Sequence, residues 1–450
     1  MKRQFLASAA RTGLSTMLLL SSAMAYAADD GLAKWAATHA LPVATVDSAA
    51  NDSDLVPLVS AIGSARVVAL GEPMHGVHEP LAFRNRLFRS LVERKGFTAI
   101  ALESGFTESI HARSFIERGA GDPDTATRTG LSSGFGRYLE NRELIQWMRD
   151  YNAAASSAGH RKIRLYGVDL PAGARLSGPR RALDSALTFL ALADSTAAQR
   201  IRDSVSDALP PTDVREFGSL SVAAQRELDT SIEAVAKALQ KSRKSLIARS
   251  SQDEYRWAEH NIQVARQLAK CLPLTPPANA DISLWPKVLT CRDSAMAANV
   301  QWALENEGRD GRLFVFAHNG HVMSAKEDGR RMAKVREKPS MMGLYLRRAY
   351  GQDLYIIAMV CATTSKGLIA ATPLEDGSIE STLSAVGRPL MFLDVRMARQ
   401  NADEHTWLSV PRSMNANVSA QTLITLSSAV DAFVFKDTLT PATQTSDQSR

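Results

Sequence analysis

The sequence predicts an α/β fold in which helices flank a mostly parallel β-sheet, with a helical insertion between the two halves of the sheet-forming region. Seven short apolar runs are typical of buried strands in a parallel sheet. Helical patterns separate many of them, and such alternation favours a sheet that is covered on both faces. The runs are Ala65–Leu70, Phe97–Leu102, Ile163–Val168, Leu313–Ala317, Leu354–Val360, Leu390–Val395 and Ala432–Phe435.

The composition is that of an ordinary globular protein. Hydrophobic residues make up 45% of the 450 residues, and charged residues make up 22%. These proportions exclude collagen-like, coiled-coil and wholly disordered chains. After the N-terminal segment, no stretch approaches the roughly 20 apolar residues that a transmembrane helix requires. We therefore expect no stable membrane insertion.

The first 27 residues have the organisation of a secretory signal peptide. Lys2, Arg3 and Arg11 are positively charged, an apolar centre follows, and Ala25-Tyr26-Ala27 fits the small-x-small cleavage rule. Cleavage would remove these three cations and no acidic residue, which lowers the formal charge from +6 to +3. We predict an exported protein, periplasmic or secreted. The nearly neutral mature charge gives little support for nucleic-acid binding.

The predicted helices follow from the spacing of apolar residues. One helix carries an apolar face from Phe83 onward and ends at Gly96, and Leu144–Tyr151 belongs to another. The middle of the chain has no strand pattern, and its apolar residues recur at the spacing of a helix face. The i, i+4, i+7 and i+11 positions hold Leu228, Ile232, Val235 and Leu239, and the i, i+3, i+7 and i+10 positions of a second helix hold Tyr255, Ala258, Ile262 and Ala265.

These elements divide the chain into five segments. We predict a signal peptide at 1–27, the first half of an α/β catalytic core at 28–178, a helical insertion at 179–290, the second half of the core at 291–437, and a flexible polar tail at 438–450.

The three cysteines fit export to an oxidising compartment. Cys271 and Cys291 bracket a proline-rich loop, and a disulfide between them would contribute about 3 kcal/mol on the chain-entropy model. The alternative is two unpaired thiols. Cys361 ends an apolar run and is expected to be a small buried side chain.

Polar groups follow four of the predicted strands, and ligands bind beyond the carboxyl ends of parallel strands. Gly71-Glu72-Pro73-Met74-His75-Gly76 follows the first strand, Glu103 the second, and Asp169 the third. His318-Asn319-Gly320-His321 follows the fourth. The sequence therefore predicts one site at this edge, with Met74, Asp169 and Asn319 as substrate contacts.

An imidazole flanked by carboxylates can act as a general base, because the carboxylate fixes the tautomer and supports the imidazolium. His75 with Glu72 or Glu103 fits that role. Arg84 shares a helical face with apolar residues, so it is expected to point inward toward an acidic partner, Glu72 or Glu103. Arg84, His318 and His321 could stabilise an oxyanion. This set fits attack of water on an ester carbonyl.

Three alternatives to this chemistry remain open. Gly130–Gly134 matches the serine-hydrolase pattern G-x-S-x-G, but the residues before it are polar and turn-like rather than a strand. A metal or haem site with His75, His318 and His321 as ligands is a second alternative, although no strong ligand spacing is present. A small-molecule binder without turnover is a third. No P-loop or dinucleotide-binding fingerprint occurs.

Several stretches closely resemble the erythromycin esterase family. They are ARVVALGEPMHGVHEPLAFRNRLFRSLVERKGFTAIALESG, RELIQWMRDYN with KIRLYGVDL, RDSAMAANVQWALENEG with RLFVFAHNGHVM, MGLYLRRAYGQDLYIIAMV and DAFVFKDTLTP. The resemblance runs from about Trp35 to Pro441 and is least specific in the helical middle.

The resemblance implies an α/β core with a helical part and a hydrolase that opens macrolide lactones without a metal or other cofactor. It makes His75 the general base within a G-E-x-x-H motif that includes Glu72. It also implies roles for Arg84 and Glu103, and for His318 and His321 in a complete AHNGH motif. The expected partner is a small-molecule ester or lactone, and the oligomeric state is left open.

Two departures concern the pocket. Pro73 and Met74 occupy positions that are usually small or hydroxylated in the family, and Pro80 stands where many members carry an aromatic residue. Proline is acceptable in the first turn of a helix. The reaction class is therefore better supported than the substrate.

Overall fold

The protein is described by a computed structural model that covers residues 31–445, apart from 171–177, 207–219, 278, 327–334, 402–404 and 418–419. The signal peptide predicted at 1–27 lies outside the described residues. None of the described helices is long and apolar enough to cross a membrane.

The strands of the described residues form one large sheet and one hairpin. In chain order they are β1 (Leu41–Pro42), β2 (Val67–Glu72), β3 (Ala99–Gly105), β4 (Arg164–Asp169), β5 (Leu313–His318), β6 (Leu354–Thr364), β7 (Leu390–Asp394), β8 (Pro411–Asn417), β9 (Ala420–Thr425) and β10 (Ala432–Leu439).

The large sheet has the order β1-β7-β10-β6-β2-β5-β3-β4. The six strands from β10 to β4 are parallel, whereas β7 pairs antiparallel with β10, and β1 with β7. The predicted fold class is confirmed, and all seven predicted strands are present. The sequence did not predict β1 or the antiparallel hairpin β8–β9.

The helices alternate with the strands except in the middle of the chain. They are α1 (31–39), α2 (Val56–Ile62), α3 (His78–Lys95), α4 (Phe106–Arg118), α5 (Pro123–Gly130), α6 (Leu139–Ala158), α7 (Gly178–Leu190), α8 (Ser195–Ser206), α9 (Val222–Lys241), α10 (Arg243–Arg249), α11 (Gln252–Cys271), α12 (Pro286–Glu307), α13 (Asn319–Val322), α14 (Met342–Tyr350), α15 (Ile379–Ser384) and α16 (Leu426–Ala429).

Helices cover both faces of the sheet because successive side chains of each strand point to opposite faces. Val67 and Ala69 of β2 pack in a core that includes side chains of α7, α9, α11 and α12. Val68 and Leu70 pack in a second core with α2, α3 and α6. Each fully buried aliphatic side chain contributes about 1.5–3 kcal/mol. The helices after β4 therefore share one core with the sheet.

Individual helix predictions are also confirmed. Gly96 caps α3 in the left-handed conformation, with φ 65°. The four apolar residues predicted for one face of α9 are all buried. The predicted disulfide joins Cys271 at the end of α11 to Cys291 in α12, and Cys361 is buried.

The prediction of a flexible tail from residue 438 is wrong as far as residue 445. Strand β10 continues to Leu439, and isolated bridges then pair Pro441 with Val77 and Gln444 with Tyr138. The polar side chains of this segment suggested a flexible terminus, but its backbone forms hydrogen bonds with the turn that follows β2.

Candidate active site

Four adjacent strands of the sheet, β2, β5, β3 and β4, end side by side and supply the candidate site. Glu72 is the last residue of β2, Glu103 lies in β3, Asp169 ends β4 and His318 ends β5. The parallel order therefore brings together the polar groups that are far apart along the chain.

Glycine is required where β2 approaches the segment after β5. A Cβ atom on Gly71 would lie 2.2 Å from Oδ1 of Asn319. Asn319 is fully buried and donates from Nδ2 to the carbonyl of Met359 at 2.7 Å. This close packing fixes the end of β2, and with it Glu72.

His75 lies in the turn after β2 and forms a pair with Glu72. The distance from Nδ1 of His75 to Oε1 of Glu72 is 2.7 Å, and Nε2 lies 3.8 Å from Oε1 of Glu103. Its side chain is 40% exposed. Burial opposes the charged ring, but the hydrogen bond to Glu72 and the charges of Glu72 and Glu103 outweigh it and raise the pKa of His75 to about 9.

Glu72 is buried, and burial raises the pKa of its carboxyl group although the hydrogen bond to His75 opposes the shift. Its Oε1 is bound to His75, whereas its Oε2 makes no hydrogen bond in the described structure. Glu72 therefore fixes the tautomer of His75, with the proton on Nδ1 and Nε2 free when the ring is neutral.

Glu103 is the centre of a second, buried cluster. Its Oε1 lies 3.2 Å from Nε2 of His321 and 3.1 Å from Nη2 of Arg292. Its Oε2 accepts from the backbone N–H of His318 at 2.7 Å. Burial would raise the pKa of Glu103, but the positive charges around it, His321 first, hold that pKa well below its usual range.

His321 has both ring nitrogens bound to carboxylates. Nδ1 lies 2.7 Å from Oδ1 of Asp293, and Nε2 faces Glu103. The side chain is only 9% exposed. Burial disfavours the charged ring, but Asp293 and Glu103 together raise the pKa of His321 to about 10. His321 is therefore a fixed cation near neutral pH.

His318 has the opposite character. Its Nδ1 accepts from the backbone N–H of Gly320 at 3.2 Å, which leaves the ring proton on Nε2. Burial, with the charge of nearby His75, lowers the pKa of His318 to about 3. The ring centroids of His318 and His75 are 5.4 Å apart. His318 is thus a neutral hydrogen-bond donor beside His75.

Arg84 is fully buried, but the expected ion pair with Glu72 or Glu103 is absent. In the described residues no carboxylate lies within 4.0 Å of its guanidinium. Nε and Nη2 donate instead to Oδ1 of Asn85, at 3.0 and 2.7 Å, and the guanidinium stacks on Phe316. Burial lowers the pKa of Arg84 to about 10, against the charge of Glu72, so the group remains a cation.

The three predicted substrate contacts, Met74, Asp169 and Asn319, are buried, and each of them contacts other residues of the protein. Both oxygens of Asp169 accept from Arg292, Asn319 holds Met359, and Met74 packs against Val77, with Cys361 and Leu439 in the same cluster.

Arg292 and Asp293 were not predicted as site residues. Both lie near the start of α12, directly after Cys291. Asp293 is fully buried. The signal available in the sequence was an adjacent pair of opposite charges at the start of a helix that is otherwise rich in small and apolar residues.

The C-terminal segment holds the turn that carries His75. The backbone N–H of Ala442 donates to the carbonyl of Gly76 at 3.0 Å, and Thr440 donates to Glu79 through both its N–H and its hydroxyl. Gly76 has φ 74°, and a Cβ atom there would lie 2.5 Å from the hydroxyl of Tyr138. The turn is therefore fixed from both sides.

The G-x-S-x-G match does not form a nucleophile elbow. Helix α5, and not a strand, precedes Ser132. Ser132 accepts from the N–H of Gly105 at 2.9 Å through Oγ, and its own N–H donates to Ser104 Oγ at 2.8 Å. Ser132 is thus a buried structural link between β3 and the loop after α5.

One small cavity lies among the carboxylates of the site, and a larger cleft shares Leu131 with it. A small one of about 20 Å³ is lined by Glu72, Glu103, Arg84 and Leu131, with other side chains. An open cleft of about 960 Å³ lies beyond Leu131, between α4, the loop after α5, and α7. The cleft is large enough for a ligand of several rings.

The described residues contain no group of three or more histidine, cysteine or acidic side chains arranged to hold a metal ion. The geometry of the three histidines agrees with this. The ring centroids of His318 and His321 are 6.5 Å apart, and both nitrogens of His321 face carboxylates.

Comparisons with known proteins agree with one another. The sequence profile of the erythromycin esterase family matches residues 92–439. The chain is 27% identical over 292 residues to erythromycin esterase type II of Escherichia coli. This alignment covers 60% of this chain and 64% of that protein. This chain is also 23% identical to the putative hydrolase YbfO of Bacillus subtilis (strain 168). That alignment spans 432 residues and covers 91% of each chain.

A solved structure shows the same fold. A Bacillus cereus protein superposes with a TM-score of 0.75 at 25% identity, covering 93% of this chain and 99% of the other.

Proposed function

This chain belongs to the erythromycin esterase family, and we propose on that basis that it hydrolyses a carboxylic ester or a lactone with water activated by His75. One observation carries the assignment of the base. His75 is the histidine of the site whose Nδ1 is held by a buried carboxylate while its side chain remains 40% exposed at the sheet edge. A general base needs that combination of orientation and access.

The proposed reaction needs no covalent intermediate. Nε2 of His75 takes a proton from water as the water oxygen attacks the carbonyl carbon. The carbonyl oxygen becomes an oxyanion, and the bond to the alcohol oxygen then breaks as His75 returns the proton to that oxygen. A lactone would give one ring-opened hydroxy acid.

The developing negative charge has three candidate partners. Arg84 is a buried cation that lines the small cavity together with Glu72 and Glu103. His318 presents a neutral N–H, and His321 is a fixed cation that Glu103 shields. Donors that are already oriented in a site with little water stabilise an oxyanion strongly, and removing one typically costs about 10²- to 10³-fold in kcat.

The pKa of His75 sets a condition on this mechanism. At a pKa of about 9, most His75 is protonated at neutral pH, and a protonated imidazole cannot accept the proton of water. We expect activity to increase toward alkaline pH.

The cleft of about 960 Å³ is the proposed place for the bulk of the substrate.

Mass spectrometry of products tests the proposal. The mature protein, residues 28–450, is incubated in H₂¹⁸O at pH 9 with macrolides, smaller lactones and p-nitrophenyl esters. We expect a product with one ¹⁸O in its carboxyl group, no acylated protein in the intact-mass spectrum, and loss of product with His75→Gln. Accumulation of acylated protein, or full activity of His75→Gln, would contradict the mechanism.

We also propose that the protein is exported. The Cys271–Cys291 disulfide supports this, because structural disulfides persist in oxidising compartments. Fractionation of expressing cells, with N-terminal sequencing of the mature protein, should find a chain that begins near Ala28 outside the cytoplasm. A cytoplasmic protein that retains Met1 would contradict export.

A further inference from the structure

The strand that carries Glu103 is irregular where the carboxylate leaves it. Strand β3 pairs with β4 through Leu102 and Gly167, and next through Gly105 and Asp169. Three residues of β3 therefore span the distance that two residues of β4 span, which is the geometry of a β-bulge. Glu103 lies inside this bulge, and bulges commonly redirect a side chain next to a site.

Arg292 joins this bulge to the end of the neighbouring strand. Nε and Nη2 donate to the two oxygens of Asp169, both at 2.7 Å. Nη2 also donates to Oε1 of Glu103 at 3.1 Å, and Nη1 lies 3.3 Å from Nε2 of His321. One rigid guanidinium thus spans two carboxylates that belong to different strands.

The same oxygen of Glu103 faces every cation of the cluster. Oε1 lies within 3.8 Å of His75 Nε2, 3.2 Å of His321 Nε2 and 3.1 Å of Arg292 Nη2. Arg292 is the member of this set whose charge is permanent, because a guanidinium is not deprotonated in proteins. The position of Arg292 therefore determines where a permanent positive charge lies next to the Glu103 carboxylate.

We propose that Arg292 is a positioning residue of the hydrolytic site: its guanidinium fastens the bulged Glu103 to Asp169 and so holds the Glu103 carboxylate between His75 and His321. The proposal rests on the proposed function for its kinetic consequences. Its structural part concerns the charges around His75 and does not depend on the substrate.

The attachment of Arg292 to the rest of the fold suits this role. The preceding residue, Cys291, is joined to the end of α11 by the disulfide. The next residue, Asp293, binds His321 and also accepts from the backbone N–H of Met342 at 2.8 Å. The two residues that flank Arg292 in α12, Cys291 and Asp293, are therefore both fixed to other parts of the fold.

Two substitutions separate the charge of Arg292 from its shape. Arg292→Gln removes one positive charge beside Glu103, so the pKa of His75 should increase. Arg292→Lys keeps the charge but cannot span two carboxylates. The charged or titratable groups that face His75 are Glu72 from β2, Glu103 from β3, His318 from the end of β5 and His321 from α13, and none of them changes in either variant.

The kinetic readout is kcat and KM for p-nitrophenyl butyrate between pH 6 and pH 10.5. We expect both variants to lose about tenfold or more in kcat with little change in KM, because Arg292 acts on the reacting groups rather than on the substrate. The rising limb of the pH–rate profile should move to higher pH in Arg292→Gln and stay in place in Arg292→Lys.

A disulfide-free double variant, Cys271→Ser with Cys291→Ser, is the matched control. It loosens the same helix start but leaves the guanidinium intact, so it should unfold more easily without moving the rising limb. If Arg292→Gln behaves like this control, with lower stability but an unchanged limb and unchanged kcat per folded molecule, Arg292 is merely structural and the proposal fails.

Histidine titration by NMR gives a readout that needs no substrate. The pKa of His75, assigned with His75→Gln, should be higher in Arg292→Gln than in the unsubstituted protein and in Arg292→Lys. Absence of ester turnover in the unsubstituted protein would refute the proposed function alone. An unchanged His75 titration in Arg292→Gln would refute the positioning role alone.

Discussion

His75 and His321 each hold a carboxylate through Nδ1 at 2.7 Å, yet the two imidazoles differ in exposure and in the distance of Nε2 from Glu103, which is 3.8 Å for His75 and 3.2 Å for His321. The side chain of His75 is 40% exposed, whereas that of His321 is 9% exposed with its second nitrogen facing Glu103. One pair can exchange a proton with solvent or substrate, and the other cannot. The same two residue types therefore give a base in one place and a fixed cation in the other.

The local fold causes this difference. His75 lies in a turn of the chain, with the left-handed Gly76 next to it, so one side of its ring stays open. His321 lies on the single-turn helix α13, where Asp293 of α12 and Glu103 of β3 enclose it. Access, rather than the hydrogen-bonded pair itself, distinguishes the two roles.

The largest expected effect is the loss of the open base. His75→Gln should lower kcat by about 10²- to 10⁴-fold, because no other neutral imidazole is placed to accept the proton of water. His78→Gln is the matched control. His78 is also 40% exposed and also binds a glutamate, Glu140, at 2.7 Å, but it lies outside the cluster. If steady-state kinetics show equal losses of kcat in both variants, His75 is not the general base.

The next effect concerns stability at the enclosed pair. Asp293→Asn removes the charge that pairs with His321 inside the protein, and breaking a buried ion pair costs about 3–5 kcal/mol. Glu72→Gln breaks a pair whose histidine is half-exposed, so its cost should be smaller. Urea unfolding of both variants measures the difference. Equal losses of unfolding free energy would show that the two pairs are equally important for stability.

The pH dependence of the rate sharpens the comparison. Because the pKa of His75 is raised to about 9, the neutral base is present above that pH and is lost as the pH falls. Below pH 9 the rate should fall about tenfold for each pH unit, since the fraction of neutral base falls in the same proportion. Glu72→Gln removes the negative charge that helps to raise this pKa and weakens the hydrogen bond to Nδ1, so the rising limb should move to lower pH. A profile that is flat from pH 6 to pH 10 would exclude His75 as the base.

Most of the site could be predicted from the sequence, whereas the residues of α12 that enclose His321 and hold Glu103 could not. The predicted residues end a predicted strand or follow one within a few positions, and parallel strands end at one edge. They are Glu72, His75, Glu103, His318 and His321. Arg292 and Asp293 reach the site from a helix more than 100 residues away from β4 along the chain, and no local pattern specifies that approach. The acidic partner expected for Arg84 was wrong because a neighbouring amide and an aromatic ring satisfy the guanidinium instead.

The limits of the fold prediction have the same physical origin. The seven buried strands are apolar because both of their faces are covered, so composition alone identifies them. Strand β1 has only two residues, too few for a pattern, and the strands of the separate β8–β9 hairpin are mixed in polarity. The segment from 440 to 445 is ordered by backbone hydrogen bonds to the turn after His75, for which its polar side chains give no signal.

The smallest expected effect tests whether a serine takes part at all. Ser132→Ala removes one buried hydroxyl that accepts from the N–H of Gly105, which should cost about 1–3 kcal/mol of stability. The kcat per folded molecule should stay within about tenfold of the unsubstituted protein, since Ser132 supports the strand end but neither exchanges a proton nor forms a covalent bond in the proposed reaction. Ser133→Ala, at the adjacent position of the same motif, is the control. A loss of several orders of magnitude in Ser132→Ala alone would favour a serine nucleophile and would make His75 its partner rather than the base that activates water.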